Sequence, residues 1–313
     1  MILNDTMQRA WQFTQQGRDA GPDMVSSRTL SGRIFSGRVL SGVLAGAFLA
    51  VLPAFGATGS AQAASVADLA QAMQLETVID IMALEGVKYG QDIEDQMFTS
   101  GGGAAWDQLV AELYDPERMR ATVVAALETS LKAEAIDESV AFFDSALGQK
   151  ITTLEVSARE AMMDDAVEAA ALDSWASRAM QDSRAAQIDT FIEVNDVIDL
   201  NVIGALNANY AFYSGMAEGG ALGAAVSEDD MLADVWSQEE DVRAETIDWS
   251  HAYLSLAYQP LSDDELAQYL AFSQTPAGQK LNLALFAAFD DMYLELSKGL
   301  GRGVAIFMAG EDL

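Results

Sequence analysis

The sequence contains no cysteine, a single histidine and only five prolines among its 313 residues. The lack of cysteine excludes disulfides, thiolate nucleophiles and cysteine-ligated metal sites. The lone histidine, His251, has no evident nucleophile or orienting acid, so we expect a satisfied or surface histidine rather than a general base. Scarce proline together with abundant alanine and leucine favours helices, and the sequence therefore predicts an all-α fold.

Basic residues are also few, with 17 lysines and arginines against 48 acidic residues and a formal net charge of −31. Such a charge repels phosphate backbones and anionic lipid, so we expect neither nucleic-acid binding nor strong binding to anionic membranes. A solvated, salt-tolerant surface is the interpretation we favour. The alternative is a cationic partner, such as a basic protein or divalent ions.

Catalytic motifs are missing as well: the chain has no G-x-x-x-x-G-K-[ST], G-x-S-x-G, H-E-x-x-H or EF-hand loop. We therefore expect no enzymatic activity, no cofactor and no metal. Paired acids at 164–165, 229–230, 239–240 and 290–291 leave a carboxylate-based hydrolase open, although adjacent helical residues diverge by about 100°. Gly299, Gly301 and Gly303 follow a predicted helix and indicate a C-cap rather than a phosphate loop.

The N-terminal region has the pattern of a secretory signal peptide. A basic stretch containing Arg28, Arg33 and Arg38 precedes an apolar run over residues 39–55, and Ala61-Gln62-Ala63 follows. The apolar run is short for a membrane span, which needs about 20 residues, so an uncleaved anchor is the alternative. We expect residues 1–63 to be removed and the protein to be periplasmic or secreted; Met24 would give the signal peptide a more ordinary length as the start of translation.

Two stretches of the chain nearly repeat each other, over residues 141–150 and 271–280. Both read A-F-x-x-[ST]-x-x-G-Q-K, and their glycines lie 130 positions apart. Trp106 and Trp236 share this offset. Further upstream the best alignment of the two copies shifts by five residues, a difference that glycine-containing loops account for. The sequence therefore predicts two tandem helical modules, residues 64–193 and 194–313, that follow the signal peptide.

Within each stretch the spacing predicts the end of one helix, a tight corner and a capped second helix. Ser or Thr takes the N-cap, proline fits the first helical position, and glycine lets another backbone approach closely. The residues of this predicted corner are Phe142, Ser145, Gly148 and Gln149 in the first stretch, and Phe272, Thr275, Pro276, Gly278 and Gln279 in the second.

Four further residues are weak candidates for a binding site. Lys150 and Lys280 keep a positive charge at both corners of an acidic chain, which suits an anion or carboxylate contact. A surface lysine that pairs with a nearby acid is the interpretation we favour. Trp106 and Trp236 are candidates to stack on a ligand, but core packing is the favoured role for both.

The second corner and the helix before it resemble the bacterial DUF2059 family, through Leu261, Ser262, Glu265, Phe272, Pro276, Gly278, Gln279 and Lys280. The best match covers residues 261–296. The first stretch keeps Phe142, Ser145, Gly148, Gln149 and Lys150 but has Lys132 and Ala146 where the family has serine and proline. The resemblance implies small, exported helical domains with no established activity, and it assigns no catalytic residue.

These observations lead to one favoured function and two alternatives. We expect a non-enzymatic periplasmic module that binds a protein or peptide partner at the cell envelope, since a helical bundle offers grooves for an amphipathic helix. The first alternative is a carrier of a small apolar ligand between helices. The second is an uncharacterised hydrolase built on carboxylates.

Overall fold

The computed structural model describes residues 63–99, 101–178, 183–222 and 226–311, and all regular structure within these ranges is helical. The predicted signal peptide lies outside the described residues. The helices are α1 (Val66–Ala72), α2 (Leu75–Met97), α3 (Gly103–Leu113), α4 (Pro116–Ser130), α5 (Ala133–Phe143), α6 (Ala146–Met162), α7 (Asp165–Ala176), α8 (Ser183–Val194), α9 (Val197–Glu218), α10 (Glu228–Trp236), α11 (Glu239–Tyr258), α12 (Asp263–Ser273) and α13 (Pro276–Glu311). The all-α prediction is confirmed.

Local capping explains where many of these helices begin. Ser262 and Glu265 form the predicted capping box at the start of α12, with Ser262 Oγ accepting from the Glu265 N–H at 3.2 Å. Glu265 in turn accepts from the Ser262 N–H at 2.8 Å. Such boxes satisfy two amides that a helix start leaves without intrahelical partners.

The stretch from residue 149 to 203 contains neither glycine nor proline, yet it is not one long helix. It breaks into α6, α7, α8 and the start of α9. Asp164 caps α7 by accepting a hydrogen bond from the Ala166 N–H at 2.8 Å. Side-chain capping thus begins a new helix here without glycine or proline.

Within the described ranges, two residues other than glycine adopt left-handed backbone conformations, Gln74 with φ of 54° and Asp196 with φ of 51°. Gln74 joins α1 to α2, and Asp196 joins α8 to α9. This conformation costs an L-residue roughly 1–2 kcal/mol, so surrounding contacts must hold it. The two residues thus occupy the same kind of junction between consecutive helices.

The helices pack around one main apolar core to which both parts of the chain contribute. We call α1–α7 the N-terminal half and α8–α13 the C-terminal half. Helix α13 packs on α4, α5 and α9, and α11 packs on α6 and α7, so the halves interlock. A smaller apolar cluster lies between α9, α10 and α11. The main core is therefore shared by the two halves, whereas the smaller cluster belongs to the C-terminal half.

The crossing of α9 and α13 depends on glycines at the point of contact. A Cβ on Gly301 would lie 2.1 Å from the carbonyl oxygen of Phe212, and one on Gly215 would lie 2.2 Å from that of Lys298. The predicted C-cap at Gly299, Gly301 and Gly303 is wrong, because all three lie inside α13. Their value in packing offsets the roughly 1 kcal/mol that each glycine costs within a helix.

No helix within the described ranges is long and apolar enough to cross a membrane.

Candidate functional site

The two repeated stretches form two corners with the same capping hydrogen bonds. Ser145 Oγ accepts from the Gly148 N–H at 3.0 Å and donates to the carbonyl oxygen of Phe142 at 2.6 Å. Thr275 Oγ1 makes the corresponding bonds with Gly278 at 3.0 Å and Phe272 at 2.7 Å. The hydroxyl thus holds the end of one helix against the start of the next.

The glycine of each corner lies directly against the end of the preceding helix. A Cβ on Gly148 would lie 2.3 Å from the carbonyl oxygen of Phe142, and one on Gly278 would lie 2.2 Å from that of Phe272. Real Cβ atoms do not approach a carbonyl oxygen this closely. Both positions consequently accept only glycine without a shift of the backbone.

The glutamine after each glycine ties its corner to a third helix. Gln149 Nε2 donates to the carbonyl oxygens of Phe143 at 2.8 Å and of Ala72, the last residue of α1, at 2.9 Å. Gln279 Nε2 donates to those of Ser273 at 2.7 Å and of Val194, the last residue of α8, at 3.0 Å. These bonds satisfy carbonyl groups that helix ends leave unpaired.

The corners also face each other across the molecule. The rings of Phe142 and Phe272 stack with centroids 4.1 Å apart and planes 7° from parallel. Lys150 Nζ lies 2.7 Å from Glu265 Oε1 in the other half. Lys280 is exposed and forms no ion pair within the described residues, because Ala135 stands at the position that would correspond to Glu265. The two candidate lysines therefore differ in role.

A cleft opens beside the second corner, between the two halves. It encloses about 600 Å³, including its opening to solvent. Its walls are largely aromatic, and the rings that line it are Phe143, Phe191, Tyr258, Tyr269, Phe272 and Phe286. Gly278 of the second corner also lines it. This combination of an apolar wall and a few polar groups is typical of small-molecule sites.

The carboxylate of Glu155 lies in the wall of the cleft and receives two tyrosine hydroxyls. Tyr258 donates to Glu155 Oε1 at 2.6 Å, and Tyr269 donates to the same oxygen at 3.2 Å. Burial, followed by the negative charge of Glu155, raises the pKa of each of these tyrosines well above 10. Both phenols therefore remain protonated donors at physiological pH.

An ion pair lies one helical turn further along α6. Arg159 is 3% exposed and pairs with Glu85 of α2. Burial lowers the pKa of Arg159, but the charge and hydrogen bond of Glu85 together with the nearby Tyr293 and Tyr253 raise it by more, so the net pKa lies above its ordinary value. Glu155, Arg159 and Tyr253 line a smaller pocket together, and Tyr253 donates to the Glu155 carbonyl oxygen at 2.9 Å. The buried cluster thus contains two carboxylates and one guanidinium.

Two asparagine amides complete the polar part of the cleft. Asn195 Nδ2 donates to the carbonyl oxygen of Phe191 at 2.9 Å, and Asn282 Nδ2 donates to that of Asn195 at 2.8 Å. Since carbonyl groups only accept, these bonds fix which amide atom is nitrogen. The Oδ1 atoms of both residues therefore remain as acceptors near the cleft.

The structure separates the two tryptophan candidates. Trp106 is fully buried, and its Nε1 donates to the carbonyl oxygen of Gly90 at 2.8 Å. Trp236 is 63% exposed at the end of α10. The expectation of core packing is therefore wrong for Trp236, which lies in a short surface helix, and neither residue lines the cleft.

His251 is held by three contacts on the surface of α11. Its ring stacks on Trp175 with centroids 4.4 Å apart. One ring nitrogen lies 3.0 Å from Asp189 Oδ1, and the other lies 2.6 Å from the carbonyl oxygen of Ile247. These partners satisfy both ring nitrogens, in agreement with the expectation of a satisfied histidine.

Several of the paired acids have structural partners. Asp230 belongs to a capping box, Asp165 pairs with Lys88, and Glu239 pairs with Arg243. Burial, and then the charge of Asp291, raises the pKa of Asp290 to about 6. Among the residues that the structure describes, no group of acids and histidines could hold a metal ion.

Sequence reasoning missed the residues that make the cleft distinctive. Glu155, Tyr258 and Tyr269 belong to three different helices and Asn195 lies in the turn between α8 and α9, so no local motif contains them. One signal was present on α6, where Glu155 and Arg159 share the inward face with Ile151. Two charged residues one turn apart on an apolar face indicate a buried polar cluster.

Comparison with known proteins supports the family resemblance for one stretch. The model of a family described as "Uncharacterized protein conserved in bacteria (DUF2059)" matches residues 117–173, which include the first corner. The second corner, where the sequence indicated the better match, lies outside the matched segment. No curated protein and no solved structure matches the chain.

Proposed function

We propose that the protein is a non-enzymatic binding protein of the bacterial cell envelope that holds a small ligand in the cleft between its halves. The observation that carries this proposal is the aromatic wall with Glu155 in it. Stability alone does not favour a buried carboxylate beside open space, because desolvation of a charge is costly. A ligand that contacts the wall would make such an arrangement useful.

We further propose that the halves are two copies of one module. Supporting this, both corners share their caps, their glycines and their glutamine bonds, and both are preceded by a left-handed residue. Helix α8 then corresponds to α1, so the second copy begins near Ser183 rather than at residue 194. Phe142 and Phe272 occupy corresponding positions and stack on each other, as residues on a two-fold axis do.

The proposed location is the periplasm or the exterior, after cleavage near Ala63. The basic, apolar and small-residue segments of the leader support this. The acidic excess argues against nucleic acid and anionic membrane as partners. Asp164, Asp165, Asp230 and Glu239 have structural partners, which makes the carboxylate-based hydrolase the least supported alternative.

The size of the cleft limits the ligand. Its space of about 600 Å³ includes the opening to solvent, so the enclosed part is smaller, and most of the residues that line it are buried. We therefore expect a small molecule rather than a long acyl chain.

Native mass spectrometry of protein purified gently from the periplasm tests the proposal. A reproducible added mass that disappears on mild denaturation is the expected result. A matched variant, Phe191→Trp, fills the cleft and should purify without the added mass. Protein that is always empty, and that binds no member of a small-molecule library, would overturn the proposal.

A protein or peptide partner at the cell envelope is the second candidate function, supported by a shallow groove between α7 and α11. The groove encloses about 840 Å³, including open solvent, and its lining includes several alanines, with Asp164 at its edge. The small side chains and acidic surroundings suit a basic amphipathic helix. A photo-crosslinking residue at Ala170 should capture one partner in cells, whereas one at exposed Glu134 should not. Capture of the same proteins from both positions would contradict this candidate.

A further inference from the structure

We propose that one edge of the helical bundle is a docking surface for a basic, amphipathic helical segment of a partner protein. The surface, which we call the tryptophan edge, consists of Leu232 and Trp236 on α10 and Ile203 on α9. None of these residues lines the cleft or the groove between α7 and α11. The inference therefore goes beyond the proposed function, and neither depends on the other.

The first observation is that Trp236 has no partner in the part of the chain that the structure describes. It is 63% exposed, and it forms neither a hydrogen bond nor a contact with another aromatic ring. Trp106, by contrast, packs against Phe98 and Phe307, with ring centroids 4.9 and 5.4 Å away. Tryptophan is enriched among the residues that contribute most to binding at protein interfaces, so its exposure on a helix indicates a surface that another molecule covers.

Trp236 belongs to a row of exposed apolar side chains. Leu232, which is 37% exposed, precedes Trp236 by one turn of α10, so both side chains lie on the same face of the helix. The helix packs on α9 through Val235, which is buried in an apolar cluster. The packing of α10 therefore leaves the row uncovered.

Ile203 extends this row onto α9. Tyr210 of α9 donates to Glu228 at the start of α10, whereas Val235 near the end of α10 lies in an apolar cluster with the first part of α9. The two helices therefore run antiparallel, which places Ile203, 52% exposed, beside the end of α10 that carries Trp236. Ile203 and Tyr210 are seven residues apart, so they share a face of α9.

The charges around the tryptophan edge determine which partner fits it. Exposed acids lie at both ends of the row, and they are Glu228 and Asp229 at the start of α10 and Glu240 and Asp241 at the start of α11. Arg243 is the one basic residue between positions 226 and 250, and it is paired with Asp199 and Glu239. Lysine or arginine side chains of a partner would therefore meet an excess of negative charge.

The same charges disfavour two other occupants. A second copy of this chain carries the same net charge of −31, so two such surfaces repel each other, and an anionic membrane is repelled for the same reason. A basic amphipathic helix avoids this repulsion. Its apolar side chains one turn apart match the spacing of Leu232 and Trp236, and its cations can lie over the indole ring.

Binding of labelled peptides to the purified protein, followed by fluorescence anisotropy at about 50 mM salt, tests the inference. The probe is two repeats of Lys-Leu-Ala-Lys-Leu-Ala-Lys, which forms a basic amphipathic helix. In one matched peptide serine replaces every leucine, and in another glutamate replaces every lysine. We expect the probe to bind at least about tenfold tighter than the serine peptide, and the glutamate peptide not to bind.

Variants locate the effect at the tryptophan edge. Trp236→Ala should weaken binding of the probe at least about tenfold. Ile306→Ala on α13 is the matched control, because Ile306 is also 63% exposed, and it should leave binding unchanged. Glu240→Lys should weaken the probe by about two- to fivefold more than Glu134→Lys, which makes the same charge change at an exposed position of α5. An unchanged Tm for each variant shows that the fold is retained.

The inference fails if the probe does not bind, if the Trp236→Ala protein binds it as tightly as the unaltered protein, or if the serine peptide binds equally well. A dimer in sedimentation velocity that Trp236→Ala abolishes would identify a second copy as the occupant and overturn the inference. Adsorption to phosphatidylcholine vesicles that depends on Trp236, without binding of the probe, would overturn it in favour of a lipid surface. The proposal for the cleft is decided separately, by its own added mass.

Discussion

Replacement of Gly278 by alanine should strain the second corner. The new Cβ would lie 2.2 Å from the carbonyl oxygen of Phe272 and 3.0 Å from Ser273 Cα. Relief requires a shift of nearly an ångström between the end of α12 and the start of α13. That shift would stretch the hydrogen bonds from Gln279 to Ser273 and Val194, now 2.7 and 3.0 Å long.

The size of the effect follows from these contacts. Overpacking costs roughly 1–3 kcal/mol, and two weakened hydrogen bonds cost about 1 kcal/mol each. Alanine regains about 1 kcal/mol through its better helix propensity. We therefore expect a loss of about 2–4 kcal/mol in the free energy of unfolding. For a chain of this size, this corresponds to a fall of roughly 5–15 °C in Tm.

Thermal unfolding followed by far-ultraviolet circular dichroism measures the change. Gly310→Ala is the matched control, because a Cβ there meets nothing within 4 Å. The control should leave Tm unchanged or raise it slightly. A Gly278→Ala protein that melts at or above the temperature of the unaltered protein would refute the close-approach reasoning.

Three further predictions concern contacts between the halves. The hydrogen bond from Lys150 is the largest of the effects that lower the pKa of Glu265 to about 2. The ionised Glu265 therefore stabilises the folded protein fully above the ordinary pKa of about 4.5, and this stabilisation is lost as the pH falls towards 2. Lys150→Met should therefore reduce the pH dependence of urea unfolding between about pH 5 and 2, and an unchanged profile would count against the pair. A double-mutant cycle of Phe142→Leu and Phe272→Leu should give a coupling of about 0.5–1.5 kcal/mol, whereas additive effects would show that the stack contributes nothing specific. Tyr258→Phe should cost about 1–3 kcal/mol in urea unfolding, because Glu155 loses its 2.6 Å donor, and a neutral effect would contradict the described hydrogen bond.

The features that depend on short stretches of chain could be predicted from the sequence. The capping box at Ser262 and the caps at Ser145 and Thr275 follow from side chains that reach amides three residues away. The glycines at 148 and 278 were predicted to allow close approach for the same reason. Each depends on local geometry, which residue type and spacing determine.

Features set by tertiary packing could not be predicted in this way. In the sequence, Gly301 suggests the end of a helix. Its actual role, to let α9 cross closely over α13, becomes visible only when the two helices are packed together. Glu155 and Glu160 are both glutamates on α6, yet one faces the cleft and the other faces solvent. Tryptophan is a residue type typical of protein cores, yet Trp236 lies on the surface, because α10 is short and buries mainly Val235.

The stacking of Phe142 on Phe272 has a consequence for how such a protein can change over generations. In a symmetric dimer of identical subunits, every substitution appears twice, once in each subunit. A site beside the symmetry axis therefore cannot contain a single carboxylate on one side only. Two modules in one chain are free of that restriction. Under the proposed duplication, Leu285 corresponds to Glu155 and Met73 to Asn195, and all four residues line the cleft. If the modules are copies, fusion is what allowed one side of the cleft to diverge from the other.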